Sequence, residues 1–187
     1  HELTHVLSNF DNNALRQSKQ QDPNQWFEEA LCEAASLFAL NQMAATWESA
    51  PPYPHWKDYA PALRRYAEQM KRESHRSLPT GISLANWFNK NENTVRTNPY
   101  QRASNEIVAT RLLALFEQHP EQWGAITYLN QDKQANSADI REYLQRWYDH
   151  CPDAHKDFVQ QVMVELGVAE TDNMRLASAR RAPTSEQ

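Results

Sequence analysis

Glycine is scarce in this chain, and its scarcity constrains the fold more than any other feature of the sequence. The 187 residues contain only Gly81, Gly124 and Gly167. Sheet-rich folds use glycine in hairpins and bulges, and loops that cradle phosphate need it for close backbone approach. The sequence therefore disfavours a β-sandwich and a Rossmann or Walker-type nucleotide site, and it favours a fold built of helices.

Length and charge narrow the class of protein further. The chain is long enough for one domain with a real core, and 40% apolar and 23% charged residues are typical of a folded globular protein. It has no run of about 18 apolar residues, so we predict no membrane span. The net charge of −5 gives no electrostatic reason to expect a nucleic-acid partner.

Apolar residues recur with the period of an α-helix along almost the whole chain, and no segment predicts a strand. We therefore predict an all-α, mainly helical fold. The first helix is expected to turn Leu3, Val6, Leu7 and Phe10 inward. The predicted helices cover residues 1–10, 22–45, 61–72, 84–88, 98–118, 120–129, 140–147 and 152–166.

Residues 1–5 read His1-Glu2-Leu3-Thr4-His5, which is the pattern HExxH. Residues i and i+4 of a helix share one face, so the imidazoles of His1 and His5 can bind the same Zn²⁺. Glu2 lies beside them, where its carboxylate can take a proton from a zinc-bound water. The motif predicts a catalytic zinc site; the alternative is a polar helix end with two exposed histidines.

The next predicted helix offers the third protein ligand that a catalytic zinc needs. It carries two carboxylates one turn apart, at Glu29 and Glu33. Glu29 can ligate the metal while Glu33 holds a zinc histidine by its far nitrogen. The alternative is a solvated acidic face on an otherwise buried helix.

These two segments together resemble the gluzincin zinc metallopeptidases, and among them the aminopeptidase-N-like branch. That branch pairs HExxH with a downstream W-x-x-E-G-x-x-E helix, and this chain has HELTH followed by WFEEALCE. Trp26, Glu29 and Glu33 match the second motif, whereas Ala30 stands where the family usually has Gly. The intervening segment is a few residues longer than is typical.

A third segment extends the resemblance. The branch has a P-Y-x-x-G motif that opens a long apolar helix, and its Tyr donates to the oxyanion of the tetrahedral intermediate. This chain has Pro99-Tyr100-Gln101-Arg102-Ala103 at such a place, again with Ala for Gly. Tyr100 is therefore the candidate oxyanion donor. His75 is the alternative donor, as a His plays this part in thermolysin-like gluzincins.

The resemblance implies a zinc metallopeptidase with a peptide or protein substrate and Zn²⁺ as cofactor. It implies these roles in this chain: zinc ligands His1, His5 and Glu29, general base Glu2, oxyanion donor Tyr100, and Glu33 as the residue that holds a zinc histidine. The rival hypothesis is a catalytically inactive helical binding or scaffold module on a protease frame.

The resemblance also suggests a domain organisation. Residues 1–98 form the gluzincin-like catalytic part, residues 99–168 a C-terminal helical part, and residues 169–187 a flexible tail. In the branch, an upstream sheet forms one wall of the cleft, and no such sheet is present in this sequence. We expect the chain to be the C-terminal part of a larger protease, with its N-terminal part as a partner.

Three further features leave alternatives open. Cys32 and Cys151 are predicted to be two separate buried thiols, with one disulfide in an oxidising compartment as the alternative. The aromatic cluster, defined as Tyr53, His55, Trp56 and Tyr59, either lines a substrate cleft or packs in the core. The sequence defines no compartment, although a secreted, periplasmic or cell-envelope location is slightly favoured.

Overall fold

A computed structural model describes residues 1–12, 21–132 and 139–169. These residues form helices and connecting turns, with no strand among them, which confirms the predicted all-α fold. Short 3₁₀ segments lie at Phe10–Asn12, Pro54–Tyr59, Ser74–Arg76 and Pro120–Tyr128. The α-helices are α1 (Glu2–Leu7), α2 (Gln25–Trp47), α3 (Ala60–Lys71), α4 (Leu84–Thr97), α5 (Arg102–Gln118), α6 (Ile140–His150) and α7 (Asp153–Glu165).

Helix α2 is the central helix of the fold, and it packs mainly against α5 and α3. Its first turns are buried on several sides, because they carry Trp26 and Phe27 next to each other. Trp26 stacks on Phe88 of α4, and the ring of Phe27 meets Trp147 of α6 edge-on. Large aromatic side chains of this kind dominate the energy of a core. The start of α2 is thereby held rigidly, and this is where the acidic residues lie.

Two predicted helix starts are wrong by a few residues. Helix α2 begins at Gln25, because the Asp22 carboxylate accepts a hydrogen bond from the backbone N–H of Asn24 at 2.8 Å and closes a turn before the helix. Helix α5 begins at Arg102, so Tyr100 lies in the preceding loop. Asn105 anchors that loop by donating to the carbonyl of Pro99 at 2.7 Å.

Helix α4 is longer than predicted, since it continues from Leu84 to Thr97. Its polar middle obscures the apolar period, yet Trp87, Phe88 and Val95 are all buried. The packing of these three residues against the rest of the core extends the helix beyond what the local pattern indicates.

The predicted burial of the first helix is also wrong. Leu3, Val6 and Leu7 of α1 are 69%, 73% and 43% exposed. The buried residues are Thr4 and, just after the helix, Ser8. Helix α1 packs on α2 through its polar face, because that is the face that carries the two histidines towards the carboxylates of α2.

Two asparagines hold the end of α1 in place. Asn9 donates through its side-chain amide to the carbonyl oxygens of Thr127 and Leu129, both at 2.9 Å. Asn130 returns a bond of 3.0 Å to the carbonyl of Ser8. Both asparagines have positive φ, 56° and 54°, a conformation that Asn tolerates better than most residues. This reciprocal pair fixes the segment after α1 to the second half of the chain.

A buried polar cluster connects the same region to α2 and α6. The Glu28 carboxylate accepts a hydrogen bond from Asn130 at 2.7 Å and from the Tyr143 hydroxyl at 2.8 Å. Burial and the neighbouring charge of Glu28 raise the pKa of Tyr143 well above its usual range, so this phenol remains a hydrogen-bond donor. Glu28, the residue next to Glu29, is therefore held by hydrogen bonds from two different parts of the chain.

The predicted helix over 120–129 is a 3₁₀ segment at Pro120–Tyr128, whereas the last two helices follow the prediction. Ile140, Tyr143, Leu144 and Trp147, spaced at i, i+3, i+4 and i+7, are all buried in α6. The last helix is followed by Gly167 with a φ of 71°, where a Cβ atom would lie 2.7 Å from the Cβ of Ala85. Glycine is required there both by the left-handed backbone and by the close approach.

Cys32 and Cys151 are both buried and free. The structure thus has two separate thiols, and burial raises the pKa of Cys151 to about 11. In the described part of the chain, no helix combines the length and the apolar character that crossing a membrane requires. The predicted tail lies outside the described residues, except for residue 169.

Candidate metal centre

Helices α1 and α2 bring together the three predicted zinc ligands. Nε2 of His1 lies 3.3 Å from Oε2 of Glu29, and Nε2 of His5 lies 3.8 Å from Oε1 of the same carboxylate. The two imidazole centroids are 5.1 Å apart. Nitrogen and oxygen ligands of a tetrahedral zinc are separated by about 3.4 Å. The two nitrogen–oxygen distances are close to this value, so these three side chains are candidate zinc donors.

Cys32 lies close to His1 and His5 and was not predicted as a site residue. Its Sγ and one ring nitrogen each of His1 and His5 all lie within 4.8 Å of one another. Burial and the negative charges of Glu28 and Glu29 raise the pKa of the Cys32 thiol, and only the thiolate is a good metal ligand. A bound metal ion would deprotonate the thiol, so Cys32 and Glu29 are both candidates for the third donor. The signal in the sequence was the spacing of one helical turn between Glu29 and Cys32.

An open pocket of about 660 Å³ lies over these donors. It contains the predicted general base, Glu2, on the same wall as His1 and His5. The lining residues are His1, Glu2, His5, Val6, Asn9, Phe10, Asp11, Asn12, Gln25, Glu29 and Tyr100. Five of the six predicted site residues thus share one concave surface, which is large enough for part of a peptide chain.

Tyr100 reaches this pocket from the loop before α5. Its hydroxyl lies 2.6 Å from Nε2 of Gln25, and the same nitrogen lies 3.2 Å from Oε1 of Glu29. Tyr100 is 67% exposed and is one of the residues that line the pocket. Gln25 was not predicted as a site residue, because no local pattern indicates that a residue at the start of α2 touches a loop 75 residues further on.

Glu33 lies beside the metal centre but has a partner other than the predicted one. It lines a smaller adjoining pocket of about 200 Å³ together with His1, Glu29 and Tyr100. Its Oε1 accepts a hydrogen bond of 2.8 Å from Nη2 of Arg76, where the prediction had a zinc histidine. In this structure Glu33 joins α2 to a buried arginine, and its predicted role in holding a zinc histidine stays a prediction.

That arginine connects three carboxylates from three parts of the chain. Nη2 of Arg76 also donates to Glu106 of α5 at 2.7 Å, and its Nε donates to Glu73 at 3.0 Å. The side chains of Arg76 and Glu106 are almost completely buried. The hydrogen bond from Arg76 lowers the pKa of the Glu73 carboxyl. The helix that carries Glu29 and the helix after Tyr100 are therefore held together through Arg76.

His75, the alternative oxyanion donor, belongs to this network and does not line the pocket over the metal centre. Its Nε2 contacts Oε2 of Glu106 and lies 3.5 Å from Oε2 of Glu73. These three residues are close enough to hold a metal ion themselves. Their carboxylates, however, are already paired with the guanidinium groups of Arg76 and Arg102.

The aromatic cluster lies elsewhere. Trp56 packs against Trp47 at the far end of α2, with ring centroids 5.1 Å apart. Tyr53 and Tyr59 are more than half exposed. None of the four residues lines the pocket over the metal centre, so the structure does not support a role for them in that cleft.

Comparisons of the chain with protein-family models, with curated proteins and with solved structures give no match. The functional argument therefore depends on the site alone. That site consists of two imidazoles and a carboxylate at metal-ligand spacing, with a second carboxylate and a phenol in the same open pocket.

Proposed function

We propose that this protein is a zinc-dependent metallopeptidase of the gluzincin type, similar to the aminopeptidase-N-like branch. One observation carries the proposal: the Glu29 carboxylate lies 3.3 Å from Nε2 of His1 and 3.8 Å from Nε2 of His5, and all three residues line a pocket with Glu2 and Tyr100. Peptides are the substrate class that the resemblance implies, and Zn²⁺ is the metal that this donor set suits best.

His1, His5 and Glu29 would hold the zinc, since catalytic zinc sites use three protein ligands of these types. When bound, Zn²⁺ supplies Lewis acidity towards a water molecule and the scissile carbonyl. Glu2 takes a proton from the water while the oxygen of that water attacks the carbonyl carbon. Tyr100 donates its hydroxyl proton to the developing oxyanion as a hydrogen bond. Glu2 then passes its proton to the amine nitrogen as the carbon–nitrogen bond breaks.

The experiment that tests the proposal compares the purified full-length protein, hereafter the unmodified chain, with its Glu29→Ala variant. We expect the unmodified chain to retain zinc through dialysis and to hydrolyse a mixed peptide substrate, and we expect Glu29→Ala to lose both properties because a protein ligand is gone. Zinc is measured by elemental analysis and hydrolysis by release of new amines. Glu121→Ala is the matched control, since Glu121 is exposed and lies outside the pocket.

Equal zinc retention by the unmodified chain and Glu29→Ala would contradict the proposed ligand set. Absence of both zinc and hydrolysis in the unmodified chain would instead favour the rival hypothesis of an inactive helical scaffold.

Removing the Tyr100 hydroxyl should slow the reaction without disturbing the metal. We expect Tyr100→Phe to lower kcat by about 10²–10³-fold, as the loss of one oxyanion donor does in other hydrolases, with little change in KM. Zinc content should equal that of the unmodified chain. Tyr66→Phe serves as the control, because Tyr66 is exposed on α3 and does not line the pocket. An unchanged kcat would remove Tyr100 from the mechanism.

A further inference from the structure

Gln25 contacts both the proposed third zinc ligand, Glu29, and the candidate oxyanion donor, Tyr100. It is the first residue of α2, one turn before Glu29, and only 8% of it is exposed. A single atom makes both contacts: Nε2 lies 3.2 Å from Oε1 of Glu29 and 2.6 Å from the hydroxyl oxygen of Tyr100. The direction of each hydrogen bond follows from the chemistry of the three groups.

A carboxylate oxygen can only accept, so the amide group that faces Glu29 must be the NH₂ of Gln25 and not its carbonyl oxygen. The amide nitrogen has two hydrogens to donate and no capacity to accept. One hydrogen therefore goes to Glu29 and the other to Tyr100. The phenolic oxygen of Tyr100 is the acceptor of its bond with Gln25, and its own proton must go to another group.

The hydroxyl proton of Tyr100 can be donated to a group in the pocket. Tyr100 is largely exposed and lines the same pocket as His1 and Glu2. An oxygen that accepts one hydrogen bond also becomes a stronger donor in the next, because the bonds polarise one another. Contact with Gln25 thus both locates the phenolic oxygen and strengthens the hydroxyl as a donor towards the pocket.

We infer that Gln25 is a positioning residue for Tyr100, holding its hydroxyl oxygen beside the metal centre and directing its proton towards the oxyanion. The inference rests on the proposed function, since it names what orients one group of that mechanism. It also explains how a side chain on an exposed loop is kept at a defined distance from α2: Nε2 is itself held by the Glu29 carboxylate.

A double-mutant cycle tests this role. Gln25→Met keeps the approximate size of the side chain and removes both N–H donors. With zinc at saturation, we expect it to lower kcat by about tenfold, the effect of one lost hydrogen bond, with KM little changed. In the Tyr100→Phe background the same substitution should cause no further loss, because Gln25 acts through the hydroxyl that is already absent.

Gln25→Glu gives the opposite polarity at the same position. Its carboxylate accepts from the Tyr100 hydroxyl and draws the proton away from the pocket, so kcat should fall further than in Gln25→Met. Zinc affinity is measured for every variant, because Gln25 also contacts Glu29. Gln69→Met is the control, since Gln69 is exposed on α3.

An equal loss of kcat from Gln25→Met in both backgrounds would overturn the inference, because a general structural effect acts whether or not the hydroxyl is present. An unchanged kcat in Gln25→Met would overturn the inference as well. If Tyr100→Phe still lowers kcat in that case, the proposed function is retained. No hydrolysis by the unmodified chain would refute the proposed function and this inference together.

Discussion

Glu2→Gln is expected to lower the rate of peptide hydrolysis by about 10²–10⁴-fold, the range that general base catalysis supplies. Gln has nearly the same shape as Glu and cannot take a proton from water at neutral pH. The zinc content should be unchanged, because Glu2 lines the pocket without being one of the three donors. Elemental analysis and kcat on the same preparation measure the two quantities together.

Glu48→Gln is a suitable control for this variant, since Glu48 is half-exposed at the far end of α2 and pairs with Arg64. Full hydrolysis by zinc-loaded Glu2→Gln would refute the role of Glu2 as general base. A different result would indicate a zinc hydrolase that is not a peptidase. In that case the unmodified chain cleaves no peptide, and Glu2→Gln loses hydrolysis of a non-peptide substrate.

The largest effect on stability is expected from Arg76→Met. The Arg76 side chain is completely buried and donates to the carboxylates of Glu33, Glu73 and Glu106. Removing one partner of a buried ion pair leaves an uncompensated charge, which typically costs about 3–5 kcal/mol. We expect about 3 kcal/mol, the lower end, because Glu106 keeps the hydrogen bond from Arg102 at 2.6 Å. Urea unfolding followed by circular dichroism measures the free energy of unfolding.

Arg64→Met is the matched control, because Arg64 and Glu48 form a half-exposed pair at 2.7 Å. Exposed pairs contribute about 0–1 kcal/mol, so this variant should unfold almost as the unmodified chain does. Similar losses of unfolding free energy in the two variants would show that the buried Arg76 network stabilises the fold no more than an exposed ion pair does.

Low pH should reduce the difference in the free energy of unfolding between Arg76→Met and the unmodified chain. Arg76 lowers the pKa of Glu73 in the folded state, so the stability gained from this carboxylate is present above the pKa of an unfolded Glu. It is lost as the pH falls through the lower folded value. Unfolding at neutral pH and in acid should therefore show a smaller difference in acid.

Much of the candidate site could be predicted because its residues lie close together in the sequence. His1 and His5 share a helix face at i and i+4, and Glu29 follows at the start of the next helix. Both facts are local, and the structure brings the three side chains together as expected. The roles of Gln25 and Arg76 could not be found this way, since Tyr100 lies 75 residues from Gln25, and Glu33 and Glu106 lie 43 and 30 residues from Arg76.

The exposed face of α1 shows where local pattern and tertiary packing part. Leu3, Val6 and Leu7 have the spacing of a buried stripe, yet Thr4 and Ser8 are the buried residues. The periodicity was correct for a helix and wrong for the face that packs. The contacts of Asn9 and Asn130, together with the pairing of the histidines with Glu29, decide the orientation.

The sequence by itself determined that this protein is helical and that His1, Glu2, His5 and Glu29 are its candidate metal-site residues, because helical period and motif spacing depend only on near neighbours. The tertiary structure alone decided which face of α1 packs, where Tyr100 lies, and that Glu33 pairs with Arg76. These depend on contacts between residues far apart in the chain, whose energies no local pattern contains.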